Sequence, residues 1–184
     1  VTANWAAFTA GPGANTAFGY RLEASSTAFN GTGTIYSSST YVVSLSTLTV
    51  EGLTVNVTYT LRAGALNWNS RANYVTIGST LTVPGAAPGA PTISAVYQSS
   101  MTATYGTVSG SYGYELQAST ASNFTGALIS SVTTNSALGT LSFNSGALLE
   151  NTTYFLRVGS LWNGATTYAN TNPISSATLT SLLV

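Results

Sequence analysis

The sequence predicts an all-β protein built as two tandem antiparallel β-sandwiches. Three observations carry this. First, a unit repeats at a spacing of about 94 residues: Gly19-Tyr20-Arg21-Leu22-Glu23-Ala24-Ser25 returns as Gly113-Tyr114-Glu115-Leu116-Gln117-Ala118-Ser119, and Asn56-Val57-Thr58-Tyr59-Thr60-Leu61-Arg62 as Asn151-Thr152-Thr153-Tyr154-Phe155-Leu156-Arg157. Second, apolar and polar residues alternate within short segments bounded by Gly, Ser and Asn, the period of a strand with one buried face. Third, no segment shows a convincing helical period.

Each element follows in order. Val1-Thr2-Ala3-Asn4-Trp5 reads as the opening strand. Gly11-Pro12-Gly13 reads as a turn; it lacks the third Gly, the Lys and the following helix of a phosphate loop. In the strand Gly19–Ser25, Tyr20, Leu22 and Ala24 share one face, and Arg21 and Glu23 the other. Leu48 and Val50 share a face further on, as do Tyr59, Leu61, Ala63 and Ala65. Trp68-Asn69 and Tyr74 return as Trp162-Asn163 and Tyr168. Between the repeats, residues 84–91 (Pro-Gly-Ala-Ala-Pro-Gly-Ala-Pro) hold three of the five prolines and read as a short, stiff linker. The second repeat then opens with Pro91-Thr92-Ile93-Ser94-Ala95-Val96-Tyr97-Gln98, a strand with no counterpart in the first. Met101-Thr102-Ala103-Thr104-Tyr105 is the segment that matches Val1–Trp5. The expected boundaries are residues 1–83, linker 84–91, and residues 92–184.

Leu53 precedes Tyr59 by six residues and Leu148 precedes Tyr154 by six; Trp5 and Tyr20 in the first repeat correspond to Tyr105 and Tyr114 in the second. This ordered set, present twice and spanning nearly the whole chain, resembles the fibronectin type III family of immunoglobulin-like sandwiches. The resemblance implies a tyrosine corner at Tyr59 and Tyr154, in which the hydroxyl bonds backbone across the E–F connection. It places Trp5 and Tyr105 on strand B, Tyr20 and Tyr114 on strand C, and Trp68 and Trp162 in the F–G loops. One departure from the family is expected: Val1–Trp5 matches strand B, so the first repeat has no strand A of its own, the alternative being that such a strand precedes Val1. The implied setting is a secreted or cell-surface protein of bacterial type. Trp5, Tyr20, Leu22, Leu53, Tyr59 and Leu61 are the expected core of the first repeat. Tyr105, Tyr114, Leu116, Leu148, Tyr154 and Leu156 are the expected core of the second.

Composition narrows the function. Charged residues are 4% of the chain, four Arg and four Glu, with no His or Cys; an ordinary domain carries roughly 25%. Such a surface offers no basic patch to nucleic acid. It also has little charge repulsion to keep copies apart. Thiolate chemistry and zinc–sulfur sites are excluded, and the commonest general base is missing. Glu23, Glu51, Glu115 and Glu150 fall on strand exteriors and loops of different repeats, not as a pair facing one cleft. No catalytic residue, cofactor or metal site is expected. Glu23 with Arg62 and Glu115 with Arg157 are expected as cross-strand ion pairs. No apolar run approaches the roughly 20 residues of a membrane-spanning helix.

What remains points to assembly or binding. The first repeat's opening strand, with Val1, Ala3 and Trp5, is expected to present an unpaired edge over an incompletely covered core. The β-prone segment 176–184, with Thr178, Leu179, Leu182, Leu183 and Val184, is the candidate donor for that edge in a neighbouring copy. The alternative is that it forms the second repeat's own last strand. Either way, head-to-tail homo-oligomerisation into an extracellular filament or surface layer is the leading expectation. The rival is a tandem adhesin or carbohydrate-binding module using Trp68 and Trp162, each of which could instead fold back over its own sandwich. Asn30, Asn56, Asn123 and Asn151 each begin an N-glycosylation sequon at equivalent places in the two repeats.

Overall fold

The computed structural model describes residues 1–169 and 172–181. Val1–Val83 form one compact unit and Pro84–Val184 a second. Among the described residues every regular element is a strand.

The first unit runs β1 (Thr2–Asn4), β2 (Thr9–Ala10), β3 (Thr16–Ala17), β4 (Gly19–Ser25), β5 (Ile35–Thr40), β6 (Thr47–Thr49), β7 (Thr58–Leu66) and β8 (Ala72–Leu81). One sheet has four strands in the order β5-β4-β7-β8; the facing sheet is only β1 paired with β6. β2 and β3 make a small parallel pair around the Gly11-Pro12-Gly13 turn. The second unit runs β9 (Thr92–Val96), β10 (Met101–Thr104), β11 (Tyr114–Ser119), β12 (Ile129–Thr133), β13 (Thr140–Ser142), β14 (Thr153–Trp162), β15 (Ala165–Tyr168) and β16 (Ile174–Ala177). Its sheets are β13-β10-β9 and β12-β11-β14-β15, with β16 also paired to β14.

The repeat is reproduced bond by bond. Thr2 and Thr49 join hydroxyls at 2.8 Å, as do Thr102 and Ser142. The Trp5 N–H donates to the Ser46 carbonyl and the Tyr105 N–H to the Gly139 carbonyl, each at 2.9 Å. Gly19 opens β4 and Gly113 immediately precedes β11 because the neighbouring backbone passes there. A Cβ would lie 2.2 Å from the Thr40 carbonyl oxygen in one and 1.9 Å from that of Thr133 in the other.

Both tyrosine corners form: the Thr54 N–H donates to the Tyr59 hydroxyl and the Leu149 N–H to the Tyr154 hydroxyl, each at 3.1 Å. Both tyrosines are buried, as are Tyr20, Leu22 and Leu61 in the first core and Tyr105, Tyr114, Leu116, Leu148 and Leu156 in the second. Trp5 and Leu53 differ from expectation: they are only half-buried, because the thin β1-β6 sheet covers less of the first core.

Two further expectations are corrected. Residues 84–91 do not stand apart as a linker but fold into the second unit, where Pro88 and Pro91 are buried. Ser176 and Ala177, the start of the donor candidate, lie in β16, paired with β14 of their own unit. Thr178 follows them into the core, its hydroxyl donating to the Leu149 carbonyl at 2.6 Å and accepting from the Thr152 N–H at 3.0 Å. The Leu179 N–H donates to the Tyr97 carbonyl. Burying Thr178 with both hydroxyl partners satisfied favours its own domain over a neighbour's. Leu182, Leu183 and Val184 lie outside the described residues.

Arg62, Glu23, Arg157 and Glu115 sit on the outer faces of the four-stranded sheets, while Glu51, Arg71 and Glu150 lie in connections. Arg62 pairs with Glu23 at 2.7 and 2.8 Å and is sandwiched between the rings of Phe29 and Tyr74, each 4.0 Å away. In the second repeat the ion pair is relayed. Gln117 takes the place of Glu23, accepts from Arg157 at 2.8 Å and donates to Glu115 at 2.9 Å. Arg157 again lies between two rings, Phe124 and Tyr168. Gly64 and Gly159 make this possible: each faces the tyrosine across the strand pair, and a Cβ there would come 2.8 Å from the Tyr74 or Tyr168 ring.

Burial alone would push the Glu115 carboxyl up, but hydrogen bonds from Gln117, Tyr168 and Ser130, with the Arg157 charge, outweigh it and hold it below its ordinary value. Tyr168 is pushed up to about 12, by burial first and then by its bond to Glu115.

Removing the corner hydroxyl in Tyr59→Phe or Tyr154→Phe leaves a backbone N–H short of its partner and lowers stability by about 1 kcal/mol, measurable by urea unfolding of each variant. A second prediction concerns acid. Because the folded Glu115 binds its proton less readily than the unfolded chain, its stabilisation is complete above the ordinary value of 4.5 and disappears as pH falls through the lower folded value. Hydrogen exchange of β14 amides between pH 6 and pH 3 is therefore expected to show a loss of protection that Glu115→Gln flattens.

Candidate interaction surfaces

The Val50 N–H donates to the Val1 carbonyl at 2.9 Å, and the Trp5 N–H points the same way, toward β6. Strand alternation then turns the N–H and C=O of Thr2 and Asn4 away from β6. In the second repeat the matching residues, Thr102 and Thr104, pair with β9 at Ala95 and Thr92. Among the described residues no strand pairs with that side of β1. The outward backbone groups of β1 are therefore those of Thr2 and Asn4, whereas Val1 and Trp5, expected at an acceptor edge, bond toward β6.

The same difference uncovers part of the first core. Val75 pairs with Ala63, so it shares the inner face of Tyr59, Leu61 and Ala63, yet it is 67% exposed. Ile77, at the bulge of β8, is also exposed. With Trp5, Phe8, Ala63 and Ala65 they line an apolar cleft of about 310 Å³. Leaving a Val or Ile side chain in water forgoes about 1.5–3 kcal/mol relative to burial. In the second repeat the corresponding positions are closed: Val158 replaces Ala63, Ser160 replaces Ala65, Tyr105 replaces Trp5, and all three are buried. Burial also pushes the Tyr105 hydroxyl up to about 12, with the neighbouring Tyr114 adding to it.

Residues 85–91 do the closing. The Gly89 N–H donates to the Gly106 carbonyl at 3.0 Å, next to Tyr105. The Ser160 hydroxyl donates to the Ala86 carbonyl at 2.6 Å. Gly85 lies flat against the Trp162 ring, where a Cβ would come within 2.2 Å.

The two tryptophans therefore part company. Trp162 ends β14, is 6% exposed, and donates its indole N–H to the Ser160 hydroxyl at 2.9 Å; it is no contact residue. Pairing along the strand gives its place in the first repeat to Asn67, not Trp68, because Tyr20 faces Ala65 where Tyr114 faces Ser160. Trp68 stands in the loop, 66% exposed. Its ring packs on Phe18 at 4.7 Å, and Phe18 on Tyr41 at 5.1 Å. This aromatic surface was not legible as a unit, since its members come from three separate segments. It borders a cleft of about 370 Å³ shared with Pro12, Thr16 and Asn67.

Asn30, Asn123 and Asn151 are exposed and Asn56 half-buried. The side-chain carbonyls of Asn30 and Asn123 accept both the N–H and the hydroxyl of Thr32 and Thr125 respectively, closing the loop on itself. Asn56 and Asn151 take the left-handed conformation, φ 50° and 49°, which Asn tolerates better than most residues. Among the described residues no group of His, Cys, Asp and Glu is placed to hold a metal ion, and no helix is long and apolar enough to cross a membrane.

No family model and no curated protein matches the chain. Solved structures do. A two-domain fibronectin type III segment of chicken tenascin matches 91% of this chain and 87% of its own length, at 16% identity and a TM-score of 0.64. The FN1–FN3 domains of chicken CNTN1 match 90% of the chain and 56% of their own length at 14% identity and a TM-score of 0.46. The fn3 domain of the human collagen alpha-1(XX) chain matches 54% of the chain and 89% of its own length at 20% identity and a TM-score of 0.40. Strand order, the paired tyrosine corners and the tenascin match together give this chain the fold of a tandem fibronectin type III pair.

Proposed function

We propose that the chain is a non-catalytic structural module of an extracellular filament or surface layer, joined head to tail by strand addition at the outer edge of β1. The observation that carries the reading is that edge: unpaired Thr2 and Asn4 backbone groups beside exposed inner-face Val75. Both deficits are met by one added strand. A surface with four Arg and four Glu opposes close approach of copies very little. An acceptor at one end and a donor elsewhere makes a heterologous contact, which propagates instead of closing as a dimer. Since residues 174–179 are engaged in their own unit, the added strand comes from another segment of the neighbour.

A second reading, a tandem adhesin or carbohydrate-binding module, is favoured by the Trp68–Phe18–Tyr41 surface, an uncharged platform on which a sugar face can stack. Binding on a glycan array that Trp68→Ala abolishes, in a protein that stays monomeric, would replace the structural reading with this one.

Sedimentation over a range of concentrations should show the average mass rising, with fibres or arrays in negative stain. Asn4→Pro removes one outward N–H and is expected to weaken association at least roughly tenfold; a monodisperse wild-type monomer at high concentration refutes assembly. The reading also places the sequons where a secretory pathway can modify them. Protein from a glycosylating source should exceed its chain mass by whole glycans at some of Asn30, Asn56, Asn123 and Asn151, and peptide mapping by mass spectrometry decides it.

A further inference from the structure

We infer that the β7–β8 turn of the first unit is a site for a carboxylate-bearing glycan, a hexuronate sugar stacked on Trp68 with its carboxylate on Arg71. The inference rests on the carbohydrate-binding reading of the Trp68–Phe18–Tyr41 surface and names the class of sugar. The turn is organised by its own bonds. Asn67 and Arg71 close it as a pair: the Asn67 N–H donates to the Arg71 carbonyl at 3.0 Å, and the Ser70 N–H to the Asn67 carbonyl at 2.8 Å. The Asn67 side-chain carbonyl accepts from the Asn69 and Arg71 N–H groups, each at 3.0 Å. Ser70 takes the left-handed conformation, φ 56°, within this tight reversal. Phe18 is tied beside the turn by its N–H, which donates to the Leu66 carbonyl at 2.8 Å. A ligand that docks here has little backbone left to order.

Trp68 and Tyr41 are the open rings of this surface, 66% and 58% exposed, with half-buried Phe18 wedged between them. The rings are tilted against one another, not coplanar, so they present separate apolar faces, each matched in size by one pyranose ring. The polar groups beside them are donors. Asn67 lines the neighbouring cleft; the turn occupies its side-chain oxygen, which leaves its amide N–H groups to face a ligand. Arg71 is exposed and stands opposite Asn67 in the turn. Its guanidinium is a planar fork of N–H donors that matches a carboxylate.

No carboxylate of the unit competes for Arg71. Among the described residues the one ion pair joins Arg62 to Glu23, on the outer face of the sheet. Glu51 precedes β7 and Arg71 follows it, so the nine residues of that strand, at about 3.3 Å each, lie between them. Segments 5–18, 41–46 and 67–71, which supply the rings and the turn, hold Arg71 as their one charged residue. The second unit shows that the fold does not demand these residues. Thr134, Asn163 and Ala165 stand there in the places of Tyr41, Trp68 and Arg71. Tyr112, in the place of Phe18, stays 51% exposed although residues 84–91 pack on the same unit. Exposure at this end is therefore independent of what runs ahead of the first strand.

The test titrates the full chain with short hexuronate oligosaccharides (galacturonate, glucuronate and mannuronate) and with their neutral methyl esters. NMR follows the Trp68 indole, the Asn67 side-chain amide and the Arg71 guanidinium. Saturable shifts are expected there with at least one acid sugar, and the matching ester should bind at least roughly tenfold more weakly. Arg71→Gln should lower the acid to the level of its ester and leave the ester unchanged, and Trp68→Ala should abolish both. Unshifted amides of Leu22, Tyr59 and Leu61 in each variant establish that the fold is intact. The inference is overturned by no response to any acid sugar at millimolar concentration, by equal affinity for acid and ester, or by acid binding that Arg71→Gln leaves intact. Neutral-sugar binding that needs Trp68 but not Arg71 removes the inference alone. A glycan array with no binding of any sugar removes the carbohydrate reading with it.

Discussion

A β-sandwich holds together only while each sheet covers the inner face of the other. In the second unit three strands face the larger sheet, and Val158 and Ser160 are shut away from water. In the first unit two strands face it. The half-burial of Trp5 and Leu53, the exposure of Val75 and Ile77, and the open backbone of Thr2 and Asn4 all go with a facing sheet that is one strand narrower among the described residues. None is a separate adaptation. The two units share the tyrosine corner, the central strand pairing and the stacked arginine, so the second serves as an internal reference for the first.

Most of the fold was legible because its signals are local and occur twice. Period-two alternation around Tyr20–Ala24 and Tyr59–Ala65 depends on nothing distant, and the six-residue step from Leu53 to Tyr59 is a property of one connection. The match of β1 to β10 was legible for the same reason, as an alignment of Val1–Trp5 with Met101–Tyr105. Three things were not. Matching Trp68 with Trp162 by identity hid a one-residue shift along the strand, which only cross-strand pairing reveals. The Pro/Gly/Ala stretch looked like a tether because composition reports stiffness but not what a stiff segment lies against. The C-terminal segment could be read as a donor or as its own repeat's last strand, because the bonds of Thr178 that decide it go to Leu149 and Thr152, far back in the sequence.

Four of the eight charged residues are used in one manner. Each repeat holds one arginine between two aromatic rings and ties it, directly or through Gln117, to a carboxylate. The rings limit the water that reaches the guanidinium, and its alignment is fixed by Phe29 and Phe124, which both adopt positive φ. The gain from a surface ion pair alone is small, about 0–1 kcal/mol. Stacking adds to it and, more usefully, rigidifies the outer face of a sheet whose inner face, in the first unit, is incompletely supported.

The glycine opposite each of these tyrosines has a consequence for how such repeats can diverge. A Cβ at Gly64 would meet the Tyr74 ring at 2.8 Å and the Ala72 methyl at 2.9 Å, and one at Gly159 would meet Thr166 at 2.5 Å and the Tyr168 ring at 2.8 Å. Substitution of the glycine in a descendant of either repeat therefore needs the ring and its neighbour on the same strand, Ala72 or Thr166, to give way together. Among related repeats these two columns should vary together, and a lineage keeping the tyrosine but replacing the glycine should be rare.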